Sequence, residues 1–271
     1  MSAGCRIATK HLGLVPYGVA LRLQQLLVER RIHQEFPSLT RSRQSLPNLP
    51  LRSSPIPNLL LLLQHPPTYT MGRRDWKQNR IAEREKLEQL GAAFYQTKRG
   101  GQITFHGPGQ LVGYPIFFLK DFQLGLRQYI ESVENALIKA CREFGISAER
   151  TADTGVWVGD SKIAAMGVHV QKFVTSHGFA LNCNTDLGWF AHIVPCGLVG
   201  KGVTSITDQC SRTHSHATQV ITTTDTIPAI ERAFSSTFNT EALVPLATMA
   251  PELDQEIDAL VFSNHLSHKP V

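Results

Sequence analysis

The chain has 271 residues, 42% of them hydrophobic and 18% charged, with a formal net charge of +5. That length can bury one full core, and no apolar run approaches the roughly 20 residues of a membrane span, so the composition reads as a single soluble domain over 1–271. The lysines and arginines are scattered rather than gathered with aromatics, which disfavours nucleic acid and fits an acidic protein partner.

The first 28 residues contain no Asp or Glu and include Arg6, Lys10 and Arg22, a pattern shared with mitochondrial presequences, yet they run directly into a folded-looking helix. From Val19 to Ile32 the apolar Val19, Leu23, Leu26 and Leu27 recur at helical spacing, and Arg22, Gln25 and Glu29 fall on a side that faces water. The segment 36–58 carries five prolines and three arginines and reads as a flexible insertion. Leu59–Leu63 is a leucine run suited to a strand buried on both faces, stopped at His65-Pro66-Pro67. Tyr69–Arg74 reads as a loop in which Gly72-Arg73-Arg74 is either a phosphate binder or a turn with solvated arginines. Ile81–Leu90 reads as a helix stopped by Gly91.

Phe94-Tyr95-Gln96 leads into Lys98–Gln110, where two glycines follow Arg99, a short strand is expected over Gln102–His106, and Gly107-Pro108-Gly109 breaks it. Leu111–Leu119 is a second apolar strand, so the glycine loop joins two strands. The residues alone leave it open as a plain hairpin or a ligand-binding loop. Leu124–Phe144 is helical, with Leu126, Tyr129, Ile130, Val133, Leu137, Ala140, Cys141 and Phe144 on one face and Gly145 behind it. Gly155–Gly159 and Lys162–Val170 form an antiparallel pair turned at Asp160-Ser161. With His177–Asn184 they predict a small antiparallel sheet. Thr226–Phe238 and Glu252–Leu260 read as closing helices; Ser211–His216 and the tail after Ser263 read as loops.

Cys5, Cys141, Cys183, Cys196 and Cys210 make an odd set without CxxC spacing, so neither a disulfide framework nor a zinc site is expected. Cys141 and Cys183 lie inside apolar periodic segments. Cys196, between Pro195 and Gly197, stands on a bend where a sulfur is accessible, and a nearby cation such as Lys162 would favour its thiolate. By itself a lysine at a strand start is more often a surface residue, and a lone cysteine more often a small hydrophobe.

HPPTYTMG at 65–72, RGGQITFHGPGQLVGYPI at 99–116, KIAAMGVHV at 162–170, SHGFALNCNTDL at 176–187, HIVPCGL at 192–198 and GVTSI at 202–206 together closely resemble the lipoyl(octanoyl) transferases. The resemblance runs from about Leu14 to Phe238 and departs at 36–58, a longer loop than usual, and at 210–216. It implies an α+β fold, a mixed sheet packed with helices, similar to the catalytic domain of biotin and lipoate protein ligases. It implies transfer of an octanoyl group from acyl carrier protein to a lysine of a lipoyl domain, in 2-oxoacid dehydrogenase complexes or the glycine-cleavage H protein. By the same resemblance Cys196 is the nucleophile that carries the acyl group as a thioester, Lys162 lowers its pKa and moves protons, and no ATP or metal is needed.

The acyl-binding segments implied are Arg99, Gly100, Gly101, Gln102, Ile103, Thr104, Phe105 and His106, with Ala165, Met166, Gly167, Gly178, Phe179 and Ala180. His65, Tyr114 and His177 match polar residues near the site. Eukaryotic members act in the mitochondrial matrix, others in a bacterial cytoplasm. An ATP-dependent lipoate or biotin ligase is an alternative on the same fold, and a non-catalytic lipoyl-domain binder is another.

Overall fold

Leucines 59–63 alternate between two hydrophobic cores, and that alternation sets the layers. In the computed structural model, which describes residues 5–40, 55–76, 81–193, 200–213 and 219–265, strand β2 (Asn58–Gln64) is central. Leu60 and Leu62 pack with Phe117, Tyr129, Val133 and Phe234. Leu59, Leu61 and Leu63 pack with Leu23, Leu27, Leu253 and Ile257 on the other face. A strand buried on both sides needs no polar alternation, which is why a pure leucine run serves.

The large sheet has the order β10-β8-β9-β6-β2-β1-β11, with β7 also paired to β8. Its strands are β1 (Ile7–Leu14), β2, β6 (Gln110–Ile116), β7 (Val156–Val158), β8 (Ser161–Gln171), β9 (Val174–Asn182), β10 (Gly202–Val203) and β11 (Val244–Pro245). Helices α1 (Tyr17–Glu35) and α7 (Pro251–His265) cover one face. Helices α3 (Leu126–Glu143) and α5 (Thr223–Thr237) cover the other. A second sheet, β4-β3-β5, is formed by β3 (Thr68–Met71), β4 (Ala93–Gln96) and β5 (Thr104–His106). It closes over its own core of Tyr69, Leu87, Ile103, Phe105 and Phe190. The remaining helices are α2 (Ile81–Gln89), α4 (Ile206–Thr213) and the single turn α6 (Leu246–Met249).

The expected helices and the central strand are all present, and Arg22, Gln25 and Glu29 face solvent as read. Four readings change. Ile7–Leu14 is a strand lying parallel between β2 and β11, and its Lys10 pairs with Asp254 and Asp258 of α7 at 2.6 and 2.8 Å, so these residues belong to the fold. Tyr69–Met71 is strand rather than loop, paired on both sides. The pair β7–β8 and β9 do not form a separate small sheet: β9 pairs with β6 and extends the large one. Ser211–Thr213 ends helix α4. Within 36–58, Ile56 is buried, with its N–H bonded to Gln34 Oε1 at 2.8 Å. Asn58 holds the Phe118 N–H at 2.8 Å, so the insertion is anchored where it re-enters the sheet; residues 41–54 lie outside the described ones.

Candidate active site

The glycine bend is strapped between the two sheets. Arg73 N–H donates to Arg99 O at 3.0 Å, Arg74 N–H to Gly101 O at 3.3 Å, and Gly100 N–H to Val168 O of β8 at 2.9 Å. The buried Arg99 guanidinium donates to Thr70 O at 2.6 Å, Thr70 Oγ1 at 2.9 Å, Gln102 O at 2.8 Å and Gly100 O at 2.8 Å. A guanidinium's rigid fork suits this convergence of carbonyls. Its cation thus holds the loop's shape while its side chain lines the site. The loop is no hairpin: β5 stays in the small sheet and β6 enters the large one, so Gly107–Gly109 passes the chain from one sheet to the other.

Two adjoining cavities open beside this bend. All of the expected acyl-contacting residues except Gly100, Ile103 and Phe105 line the inner one, together with Tyr17, Val112, Tyr114 and His177. Its volume is 40 Å³, space for about three water-sized groups. Ile103 and Phe105 correct the reading. Successive strand residues point to opposite faces, so Thr104 and His106 face the cavity while Ile103 and Phe105 enter the core of the small sheet, Phe105 stacking on Trp189 with centroids 5.1 Å apart. The outer cavity, 240 Å³, shares Gly101, Gln102, Met166 and Gly167 with the inner one and reaches Gly100 and Lys162. Leu126 and Ile130 of α3, expected in the core, form its apolar side.

Lys162 is the second residue of β8, opposite Trp157 of β7 and Val203 of β10. It is 92% buried by accessibility, being 8% exposed, and its Nζ donates to Thr154 O at 3.0 Å and lies 4.7 Å from the Trp157 ring centroid. A desolvated ammonium over an indole face is favourable. Glu134 Oε1 accepts the Gly155 N–H at 2.8 Å. Burial pushes the Glu134 carboxyl up, while that N–H, Arg150 and Lys162 draw it back down, so a carboxyl group stands near the lysine. Gly155 has φ +125°, and a Cβ there would sit 2.7 Å from Ala164 O and 3.2 Å from Lys162 Cε. Cys196 lies within 194–199, outside the described residues. The chain that follows it returns as β10, with Gly202 opposite Ser161 and Val203 opposite Lys162.

Proton directions in the buried histidines follow from their partners. His65 Nδ1 is 2.6 Å from Val15 O, which can only accept, so Nε2 is the acceptor for the Tyr114 hydroxyl at 2.7 Å. Gln110 Nε2 donates to Phe105 O at 3.2 Å and Asn182 Oδ1 at 2.9 Å. Its Oε1 therefore accepts from His106 Nδ1 at 2.9 Å, and His106 Nε2 accepts from Thr70 Oγ1 at 3.1 Å. Asn182 Nδ2 continues to Thr204 O at 2.9 Å, and Thr204 N–H to Lys162 O at 3.0 Å. One directed network thus runs from Arg99 to the backbone of Lys162.

Burial lowers His65 to about 4, and burial with Arg99 and His169 lowers His177 to about 3. His106 falls well below its ordinary value through burial, His65 and Arg99. All three are neutral at physiological pH. His177 adopts φ +56° inside β9, its N–H bonded to Gln24 Oε1 at 2.7 Å. Burial pushes the Cys141 and Cys183 thiols up to about 12, as their apolar settings led one to expect. Glu134 and Tyr17 carried no signal in the sequence, because their roles depend on partners brought in from distant elements, whereas Thr70 and Asn182 lie within the quoted motifs at 65–72 and 176–187. Gln110 sits within the quoted motif and could have been found there.

The family model of the lipoyl protein ligase A/B catalytic domain matches residues 17–235. The chain is 46% identical over 229 residues to the octanoyl-acyl-carrier-protein:protein N-octanoyltransferase LIPT2, mitochondrial, of Danio rerio, covering 84% of this chain and 91% of that one. It is 43% identical over 198 residues to the octanoyltransferase LIP2, mitochondrial, of Arabidopsis thaliana, covering 72% and 75%. A bi-partite lipoate protein ligase from Thermoplasma acidophilum superposes with a TM-score of 0.59 at 15% identity over 96% of this chain and 92% of that chain, a likeness of fold. The chain belongs to the lipoyl protein ligase A/B catalytic-domain family and, within it, to the octanoyltransferases, which are acyltransferases.

Proposed function

We propose that the protein moves an octanoyl group from the thioester of acyl carrier protein to a lysine of a lipoyl domain, with Cys196 carrying the acyl group between them. The observation that supports this reading best is the buried Lys162 ammonium on the wall of a 240 Å³ cavity that merges with the pocket below the glycine bend. In the first exchange the Cys196 thiolate attacks the thioester carbonyl, a new C–S bond forms as the old one breaks, and the carrier thiolate leaves and takes its proton from the Lys162 ammonium, which is left as the neutral amine. In the second the acceptor amine attacks the Cys196 thioester, the C–S bond breaks, an amide forms, and the amine proton passes to Lys162 as the thiolate is regenerated. A thioester carries its own activation, so no ATP is consumed and no metal is called on.

The acyl chain lies along Met166, Gly167 and the Gly100-Gly101 backbone, with Leu126 and Ile130 over it. Neutral His106 and His177 add no charge to the inner pocket, and the Arg99 guanidinium on its wall is turned onto the carbonyls of Thr70, Gly100 and Gln102. The acceptors are lipoyl domains of 2-oxoacid dehydrogenase complexes and the glycine-cleavage H protein. The reaction takes place in the mitochondrial matrix, a reading that the mitochondrial designation of the relatives supports. Incubation with octanoyl-acyl carrier protein and an apo lipoyl domain, without nucleotide, should yield an octanoylated acceptor. Lys162→Ala should reduce that rate by about two to four powers of ten. Transfer that requires ATP, or that is indifferent to Lys162→Ala, would overturn the reading.

A further inference from the structure

Gly72-Arg73-Arg74 is rigidly presented, and nothing in the transfer chemistry uses its charge. The residues Arg73–Asp75 form a 3-10 turn clamped through two backbone bonds to Arg99 and Gly101. A Cβ on Gly72 would run into the Gly101 carbonyl, so only glycine lets the turn sit this close. Asp75, the turn's one acid, is fully buried, and its Oδ2 accepts the Ile103 N–H at 2.8 Å and its Oδ1 the Gln102 amide at 3.3 Å. The acid is spent inward on the glycine loop. The two arginines stay exposed.

Lys98, also exposed, stands next to them. It lies between Thr97, whose N–H bonds Met71 O at 2.9 Å, and Arg99, whose carbonyl takes the Arg73 N–H. Arg73 and Lys98 both act on His169 from close by, so the cations share one rim. Arg74 lines the outer cavity that also holds Lys162. Among the described residues no carboxylate forms an ion pair with Arg73, Arg74 or Lys98, whereas half of the other described lysines and arginines pair with an acid. Three like charges held together without a counter-ion cost stability and invite an anionic partner.

Reach decides which partner. On the reading proposed above, the donor's thioester rides on a long phosphopantetheine arm, so the carrier protein stands well away from the cavity. The acceptor amine rides on a four-carbon lysine stem, so the acceptor's own backbone must come up to the mouth. We infer that Arg73, Arg74 and Lys98 form a docking rim for the acceptor protein, engaging acidic residues that flank the lysine to be acylated. The rim selects and orients; it takes no part in bond making.

The test separates docking from chemistry. Affinity of an apo lipoyl domain for the enzyme is measured by calorimetric titration, and Cys196 loading from octanoyl-acyl carrier protein is followed separately by mass. Arg73→Gln/Lys98→Gln is the variant of choice, since neither residue lines the acyl cavities. The acceptor Kd should weaken by about tenfold or more at low salt, the difference should shrink as salt rises, and loading should be unchanged. Arg73→Lys/Lys98→Arg, which keeps both charges, should bind as the parent does and rules out a folding artefact. An unchanged acceptor Kd, or a loss equal for the acceptor and for the carrier protein, overturns the inference. Failure of the underlying reading would show differently, as no loading in the parent enzyme, while the acceptor Kd still reports on the rim.

Discussion

Replacing Tyr114 by Phe removes one oxygen and tests the proton assignment in the heart of the site. Tyr114 is 4% exposed and His65 fully buried. Because His65 gives its Nδ1 proton to Val15 O, its Nε2 has only the Tyr114 hydroxyl, 2.7 Å away, as a donor. Tyr114→Phe forfeits that bond and strands a buried acceptor, a cost of about 1–3 kcal/mol. Urea unfolding read by fluorescence gives the difference. The refuting experiment is the double-mutant cycle with His65→Leu. If the hydroxyl donates to the imidazole, the double variant should be less destabilised than the sum of the singles by about 1 kcal/mol, whereas additivity within about 0.3 kcal/mol would show that the pair does not interact.

Further outcomes follow from neighbouring features. His65 and His177 have folded pKa values of about 4 and about 3, below the ordinary histidine value. The unfolded chain therefore binds the extra protons, so stability is full above about pH 6.5 and declines as pH falls toward those values, by up to about 1.4 kcal/mol per pH unit for each histidine. Urea midpoints that stay flat from neutral pH to mild acid would contradict the buried neutral imidazoles. Gly155→Ala should cost about 1–3 kcal/mol and, by pressing on Lys162 Cε, cut transfer. Gly91→Ala, equally left-handed but with open space around it, should destabilise without slowing transfer, and comparing the two by unfolding and rate separates strain from displacement of the lysine. Asp75→Ala should cost about 1–3 kcal/mol and speed amide hydrogen exchange at Ile103, whose N–H it accepts.

What could be read from the sequence was what repeats locally. The leucines of β2, the apolar stripe of α3 and the turn between β7 and β8 each announce their element through their own spacing. β1 did not, because IATKHLGL lacks clean alternation and its sheet neighbours are β2 and the distant β11. β3 is four residues between a proline pair and a glycine, too short for a pattern, and it exists because β4 and β5 pair with it on either side. At the site, the motifs marked the glycine bend, Lys162 and Cys196. They could not show that Arg99 spends its donors on loop carbonyls, or that Leu126 and Ile130, at the start of the α3 stripe, line a cavity. Those facts depend on how the two sheets meet.

The central claim is that the acyl group waits on Cys196, and intact mass spectrometry after mixing the enzyme with octanoyl-acyl carrier protein, without acceptor or ATP, tests it most directly. The account predicts one added octanoyl group, mapped to Cys196, lost on addition of an apo lipoyl domain as that domain gains the same mass, and absent from Cys196→Ala. Acceptor octanoylation that proceeds without any such adduct, or that survives Cys196→Ala, would contradict it.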